Sequence, residues 1–176
     1  GKSTQVVNSN FACDKFDLSA SAKIRIEGDV TIVVRQWFSL VNWGIIELAP
    51  GVTLTLYSLD KFIMADHGVI NDTGDPSRVT LYLLGSGGTA NVKDESVMSA
   101  NNIAPNMELA LVNLSRLYGK FTGMVLTVSG NAELHIADLF PVVCGITLAD
   151  KIGTAGAATT AAIATPGSYG QWFHNE

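Results

Sequence analysis

The side chains that could do chemistry here are few and widely spaced. Three histidines (His67, His135, His174) and two cysteines (Cys13, Cys144) are scattered along 176 residues, with none of the close ligand spacing of a zinc site. No Gly-x-Ser-x-Gly elbow offers a nucleophile. Gly1-Lys2-Ser3-Thr4 mimics the end of a phosphate-binding loop, yet Gln5-Val6-Val7 follows and the earlier glycine is missing. Carboxylates pair in two turns, Asp72 with Asp75 and Asp94 with Glu95. Paired carboxylates cleave glycosidic bonds when their separation and surroundings are set, but a turn aspartate usually bonds its own backbone. Asn71 to Asp75 lacks the ligand spacing of a calcium loop. The expectation is a protein that is not an enzyme and carries no cofactor and no metal.

Contact chemistry is better represented. Trp37, Trp43, Met64 and His67 fall at comparable places in successive segments. Exposed tryptophans stack on sugar rings or anchor a partner protein, while the plainer alternative packs one or both beneath a loop. Thr31, Thr53, Thr55, Thr80 and Thr127 take the polar phase of strands, as in ice-binding surfaces and in ordinary exposed strands alike. Asn71-Asp72-Thr73 and Asn113-Leu114-Ser115 match the glycosylation sequon, a short pattern that is frequent by chance.

The elements that position these residues read as strands. Lys23 to Glu27, Val30 to Ile32, Val52 to Leu56, Val79 to Leu83, Leu126 to Val128 and Glu133 to Ile136 alternate apolar with polar residues. Met107 to Leu117 has helical propensity, but Leu109 and Leu111 fit alternation and favour strand. Turn formers separate the segments: Gly28-Asp29, Ala49-Pro50-Gly51, Asn71 to Pro76, Gly85 to Gly88, Ala104-Pro105-Asn106 and Ser129-Gly130-Asn131.

A degenerate repeat underlies the pattern. Phe38 to Ile46 aligns with Phe62 to Ile70, keeping Gly44 over Gly68 at a spacing of about two dozen residues. Each unit leads through a proline turn to a Val-Thr-Leu strand, at Val52 and at Val79, and a weaker copy runs from Val97 to Leu111. Short strands repeating at this period predict an all-β fold, a single-stranded parallel β-helix (β-solenoid) with irregular short coils. One coil cannot bury its apolar side chains alone, whereas stacked coils close a continuous core. An antiparallel sandwich or jelly roll is the competing architecture. Within the solenoid, the Asp72/Asp75 pair defines a polysaccharide-active enzyme as the catalytic alternative.

The stretch from Gly28 to Ile136 resembles an uncharacterised bacterial family of exported, surface-associated β-solenoid domains found in pilus-assembly-like proteins. The resemblance rests on Gly28 to Val34, Leu48 to Tyr57, Gly68 to Ser77 and Val128 to Ala132. The family repeats a Ser-Gly-Asn corner, kept here at Ser129 to Asn131, while the two aligned corners read Val41-Asn42-Trp43 and Ala65-Asp66-His67. The resemblance implies a fold and an exported location, extracellular or at the cell surface. It carries over no functional residue.

Composition narrows the partners. Only 15% of residues are charged, 47% are hydrophobic and the net charge is −5, which excludes wholesale disorder. The few lysines and arginines are dispersed, so no nucleic acid is expected as a partner. No membrane span is expected either, since Leu139 to Ala149 is too short and contains proline. The opening residues carry no basic, apolar leader pattern, and the start at Gly1 fits a processed or trimmed form that a leader once preceded. The expected organisation is an N-terminal arm or cap at 1–18, a solenoid at 19–140, and a C-terminal cap with an Ala/Thr/Gly-rich tail at 141–176. Cys13 and Cys144 flank the solenoid, as a possible disulfide or as two buried thiols. The leading functional expectation is a non-enzymatic structural protein that self-associates into a filament or surface layer. The alternative is an adhesive module binding a glycan or a surface protein through Trp37, Trp43, Met64 and His67.

Overall fold

A computed structural model describes residues 4–72, 74–136, 145–148 and 159–160. The chain winds into a parallel β-solenoid of about six turns, with no α-helix among the described residues. The first coil holds β1 (Thr4–Val7) and β2 (Phe11–Leu18), the second β3 (Lys23–Ile26) and β4 (Val30–Leu40). The third holds β5 (Ile45–Leu48), β6 (Leu54–Ser58) and β7 (Lys61–Met64), and the fourth β8 (Val69–Ile70), β9 (Val79–Leu83) and β10 (Thr89–Lys93). Then come β11 (Val97–Ser99) with β12 (Asn101–Val112), and β13 (Arg116–Gly119) with β14 (Phe121–Ser129). β15 (Glu133–Ile136) and β16 (Gly145–Leu148) stack beyond these, and β17 (Thr159–Thr160) returns antiparallel along β16.

Each coil gives one short strand to a seven-stranded parallel sheet ordered β1-β3-β5-β8-β11-β13-β15. The remaining strands build the second, ten-stranded sheet. There β4 pairs through residues 30–34 with β6 and through 37–40 with β7, so the chain bends between the two halves. The register confirms the repeat: Phe38 lies on Phe62 and Ile45 on Val69.

Alternation turns every second side chain inward, where the coils stack like on like. Ile24, Ile46, Ile70, Met98 and Leu117 form one buried ladder, and Leu18, Leu40, Met64, Val92, Leu111 and Val128 another. Phe16, Phe38 and Phe62 stack nearly parallel, their ring centres 5.1 and 4.7 Å apart. Dispersion and burial along these ladders hold the coils together.

Three sequence expectations are corrected. Residues 4–18 are not a separate arm: they form a regular coil, because Phe16 and Leu18 take the inward ladder positions of Phe38 and Leu40. Val52 does not align with Val79; Leu54 does, a shift of two residues that leaves every side chain on its expected face. Ala104-Pro105-Asn106 is not a loop between strands but a register shift inside β12, where the missing proline N–H falls at the irregularity. Met107 to Leu117 is strand up to Val112, turns through residues 113–115 and is strand again from Arg116, as alternation indicated. Most of the tail expected at 141–176, including Cys144, lies outside the described residues, and no helix among the described residues is long and apolar enough to cross a membrane.

Candidate functional site: the stacked corner row

Among the described residues, each passage from the second sheet back to the first is a tight corner built on two consecutive left-handed residues. These pairs are Ala20-Ser21, Asn42-Trp43, Asp66-His67, Asp94-Glu95, Asn113-Leu114 and Gly130-Asn131, with φ from 49° to 65°. Consecutive positive φ values at the two central positions define a primed turn, and a turn hydrogen bond closes it, as from Gly44 N–H to Val41 O (3.0 Å) and Gly68 N–H to Ala65 O (3.1 Å). The corners also bond to one another. The N–H of Ser21, Trp43, His67, Glu95 and Leu114 donates to the first corner carbonyl of the next coil, at 2.8 to 3.0 Å.

Small residues must follow the pair. A Cβ at Gly44 would stand 2.4 Å from Leu18 O, and one at Gly68 2.4 Å from Leu40 O. The second corner position is the reverse case. Asn or Gly would fill it with least strain, yet Trp43, His67, Glu95 and Leu114 occupy it, at a cost of about 1–2 kcal/mol each. Strain of this kind persists where surrounding structure over-determines it and collects at functional positions.

The row gathers a polar and aromatic strip along the solenoid. Trp43 is 56% exposed, and its indole stacks on the imidazole of His67 with ring centres 3.9 Å apart and planes 20° apart. His67 Nδ1 lies 3.6 Å from Glu95 Oε2 in the next coil. Asn113 Nδ2 donates to Asp94 Oδ1 (3.0 Å), and Lys93 Nζ sits 3.3 Å from Asp94 Oδ2. The Asn113 hydrogen bond, helped by Lys93, holds the Asp94 carboxyl below its usual range despite an opposing desolvation. Asn42, Asp66, His67, Asp94, Glu95, Asn113 and Leu114 line an open groove of about 350 Å³, with Trp43 standing just beyond Asn42 at its end.

The residues singled out in the sequence separate. Trp43 and His67 meet in the row. Met64 does not: it is fully buried in the leucine-rich ladder, because the strand alternation ahead of the corner turns it inward. Trp37 opens the outer half of β4, in register with Lys15 and Lys61, and Lys61 Nζ stands 5.3 Å from its ring centre. Four residues of strand, about 13 Å, separate Trp37 from Val41, so the two tryptophans form no common platform. Asp94, Glu95 and Asn113 belong to the site, and the spacing of corners after Gly68 was the signal for them.

Other candidates are engaged elsewhere. Asp75 Oδ1 accepts the Ser77 N–H (2.8 Å) and caps a short 3-10 turn, Pro76–Arg78. That bond keeps its carboxyl below the usual range. Asn71 is buried, and its amide donates to Asp75 O and Ser99 O, so this sequon asparagine does not face solvent. Thr31, Thr55 and Thr80 stack in one column, but Asn101 succeeds them, Thr53 bonds Asp29 and Thr127 bonds Glu108. His135 is half-buried, stacked on Tyr118 (4.4 Å) and bonded to Glu133 (3.0 Å). Cys13 is half-buried, and burial pushes its thiol up; its pairing with Cys144 falls outside the described residues. Among the described residues no group of three or more His, Cys, Asp and Glu converges on a metal position.

No known protein family, curated protein or solved structure matches this chain.

Proposed function

We propose that this protein is a non-enzymatic, exported β-solenoid of the surface-associated kind its sequence resembles, and that it works as an adhesive module. Its contact surface is the corner row, and its partner is a glycan or a surface protein. One observation carries the reading: a largely exposed tryptophan, held in a strained left-handed corner and stacked on a histidine, stands at the end of a polar groove. A buried structural tryptophan has no need of that position, whereas a contact residue gains rigidity from the stack beneath it. A glycan array probed with the wild-type protein and with Trp43→Ala tests it. Binding that disappears in the variant, with the fold intact by circular dichroism, supports the reading; equal binding by both proteins contradicts it.

A second reading is self-association into a filament or surface layer. The first coil favours it. Among the described residues β1 and β2 each pair on one side only, and rows of unpaired backbone groups template further strands. Sedimentation at two concentrations separates the readings: growth with concentration supports assembly, and a single species at both opposes it.

A further inference from the structure

We infer that the corner groove takes a glycan chain lying along the solenoid axis, and that it selects neutral or amine-bearing sugars over acidic ones. This deepens the proposed function and rests on it. The direction follows from the stacking. The lining residues come from four successive corners, from Asn42 to Asn113, one above another. At about 4.8 Å per coil they span roughly 14 Å, the reach of a short oligosaccharide and longer than one ring.

The lining sets the chemistry. Asn42 and Asn113 bring amides, and Asp66, Asp94 and Glu95 bring carboxylates that accept from hydroxyls and attract ammonium groups. The lysine beside the groove is already committed: Lys93 sits on Asp94. A uronate or sulfate would enter a field of like charge with no free cation in the wall to meet it.

The end of the groove supplies the ring contact. His67 covers one face of Trp43. The residue in the same corner position on the other side is Ser21, whose N–H reaches the Asn42 carbonyl and whose short side chain cannot cover an indole. The uncovered face points past the Asn42 end of the groove, where a terminal ring of the chain stacks its apolar face.

The test is calorimetric titration of the full chain with three oligosaccharides of similar length: a glucosamine oligomer, its N-acetylated neutral form and a galacturonate oligomer. The inference expects the first two to bind and the third to bind at least tenfold more weakly. Asp66→Asn combined with Glu95→Gln should weaken the glucosamine oligomer by about fivefold at low salt, since exposed charges contribute modestly. The neutral oligomer should lose less affinity than the glucosamine oligomer in that variant, because the Asn and Gln amide oxygens still accept from hydroxyls. Galacturonate binding as tight as glucosamine, and lost in Trp43→Ala, would overturn the charge selection and leave the glycan surface standing. Absence of binding by all three would overturn both.

Discussion

The two ways in which each coil passes between the sheets behave in opposite fashion. From the second sheet to the first, the corner is the same two left-handed residues in coil after coil, bonded to its neighbours through the backbone. From the first sheet to the second, the connection varies. It is a single residue between β11 and β12, and an excursion through residues 71–78 between β8 and β9. The excursion is closed upon itself: Asn71 bonds Asp75 and Ser99, Ser99 bonds Asp72, and Arg78 reaches Ala49 O at 2.9 Å. A constant backbone with varied, outward side chains makes a display surface. A varied backbone whose polar groups satisfy one another makes packing.

The contrast can be broken at several strengths. The largest effect is expected where neither connection is touched. Phe38→Ala removes the middle ring of the phenylalanine stack and should cost about 4 kcal/mol, read as a lower denaturation midpoint. Gly68→Ala attacks the constant corner, since the new Cβ meets Leu40 O at 2.4 Å. Overpacking against backbone should cost about 2–3 kcal/mol, whereas Gly51→Ser has open space around it but a left-handed φ of 78°, so only backbone strain of about 1–2 kcal/mol is expected there. Asn71→Ala attacks the varied connection and should cost about 1–2 kcal/mol by orphaning two carbonyls, without changing ligand binding.

Trp43→Ala should change stability by less than about 1 kcal/mol while abolishing binding, the reverse of Asn71→Ala. The smallest effect concerns acid. Asp94 titrates below its ordinary value in the folded state, so its stabilisation is complete above the unfolded carboxylate pKa. It is lost as pH falls through the depressed folded value. Asn113→Ala removes the main cause, so the variant should lose less stability on acidification below about pH 4. Denaturant melts at neutral and acid pH read the difference.

Legibility in the sequence followed the same division. The solenoid was legible because its core is periodic: Phe38 over Phe62 and Gly44 over Gly68 announce the coil, and alternation assigned the inward faces. Trp43 over His67 was legible for the same reason. Met64 was not, since closeness in sequence to His67 says nothing about the side of the strand it takes. Trp37 was misjoined to Trp43 because nearness in sequence hid the four residues of extended strand that hold it away from the corner. Asp94 with Glu95 and Asn113 stood out only as a carboxylate pair and a sequon, and were not joined to Trp43 and His67, because the coil between β8 and β11 is longer, which shifts the apparent repeat: Asn71 bonds Ser99 at a separation of 28 residues, against 24 for Thr53 and Asp29.

The most direct test of the corner row as the contact surface is an amide chemical-shift map of the isotope-labelled chain as a binding glycan is titrated in. The account predicts shifts concentrated at residues 42–43, 66–67, 94–95 and 113–114, in one axial strip. Shifts centred instead on the Thr31, Thr55 and Thr80 column or on Trp37, with the corner row silent, would contradict it.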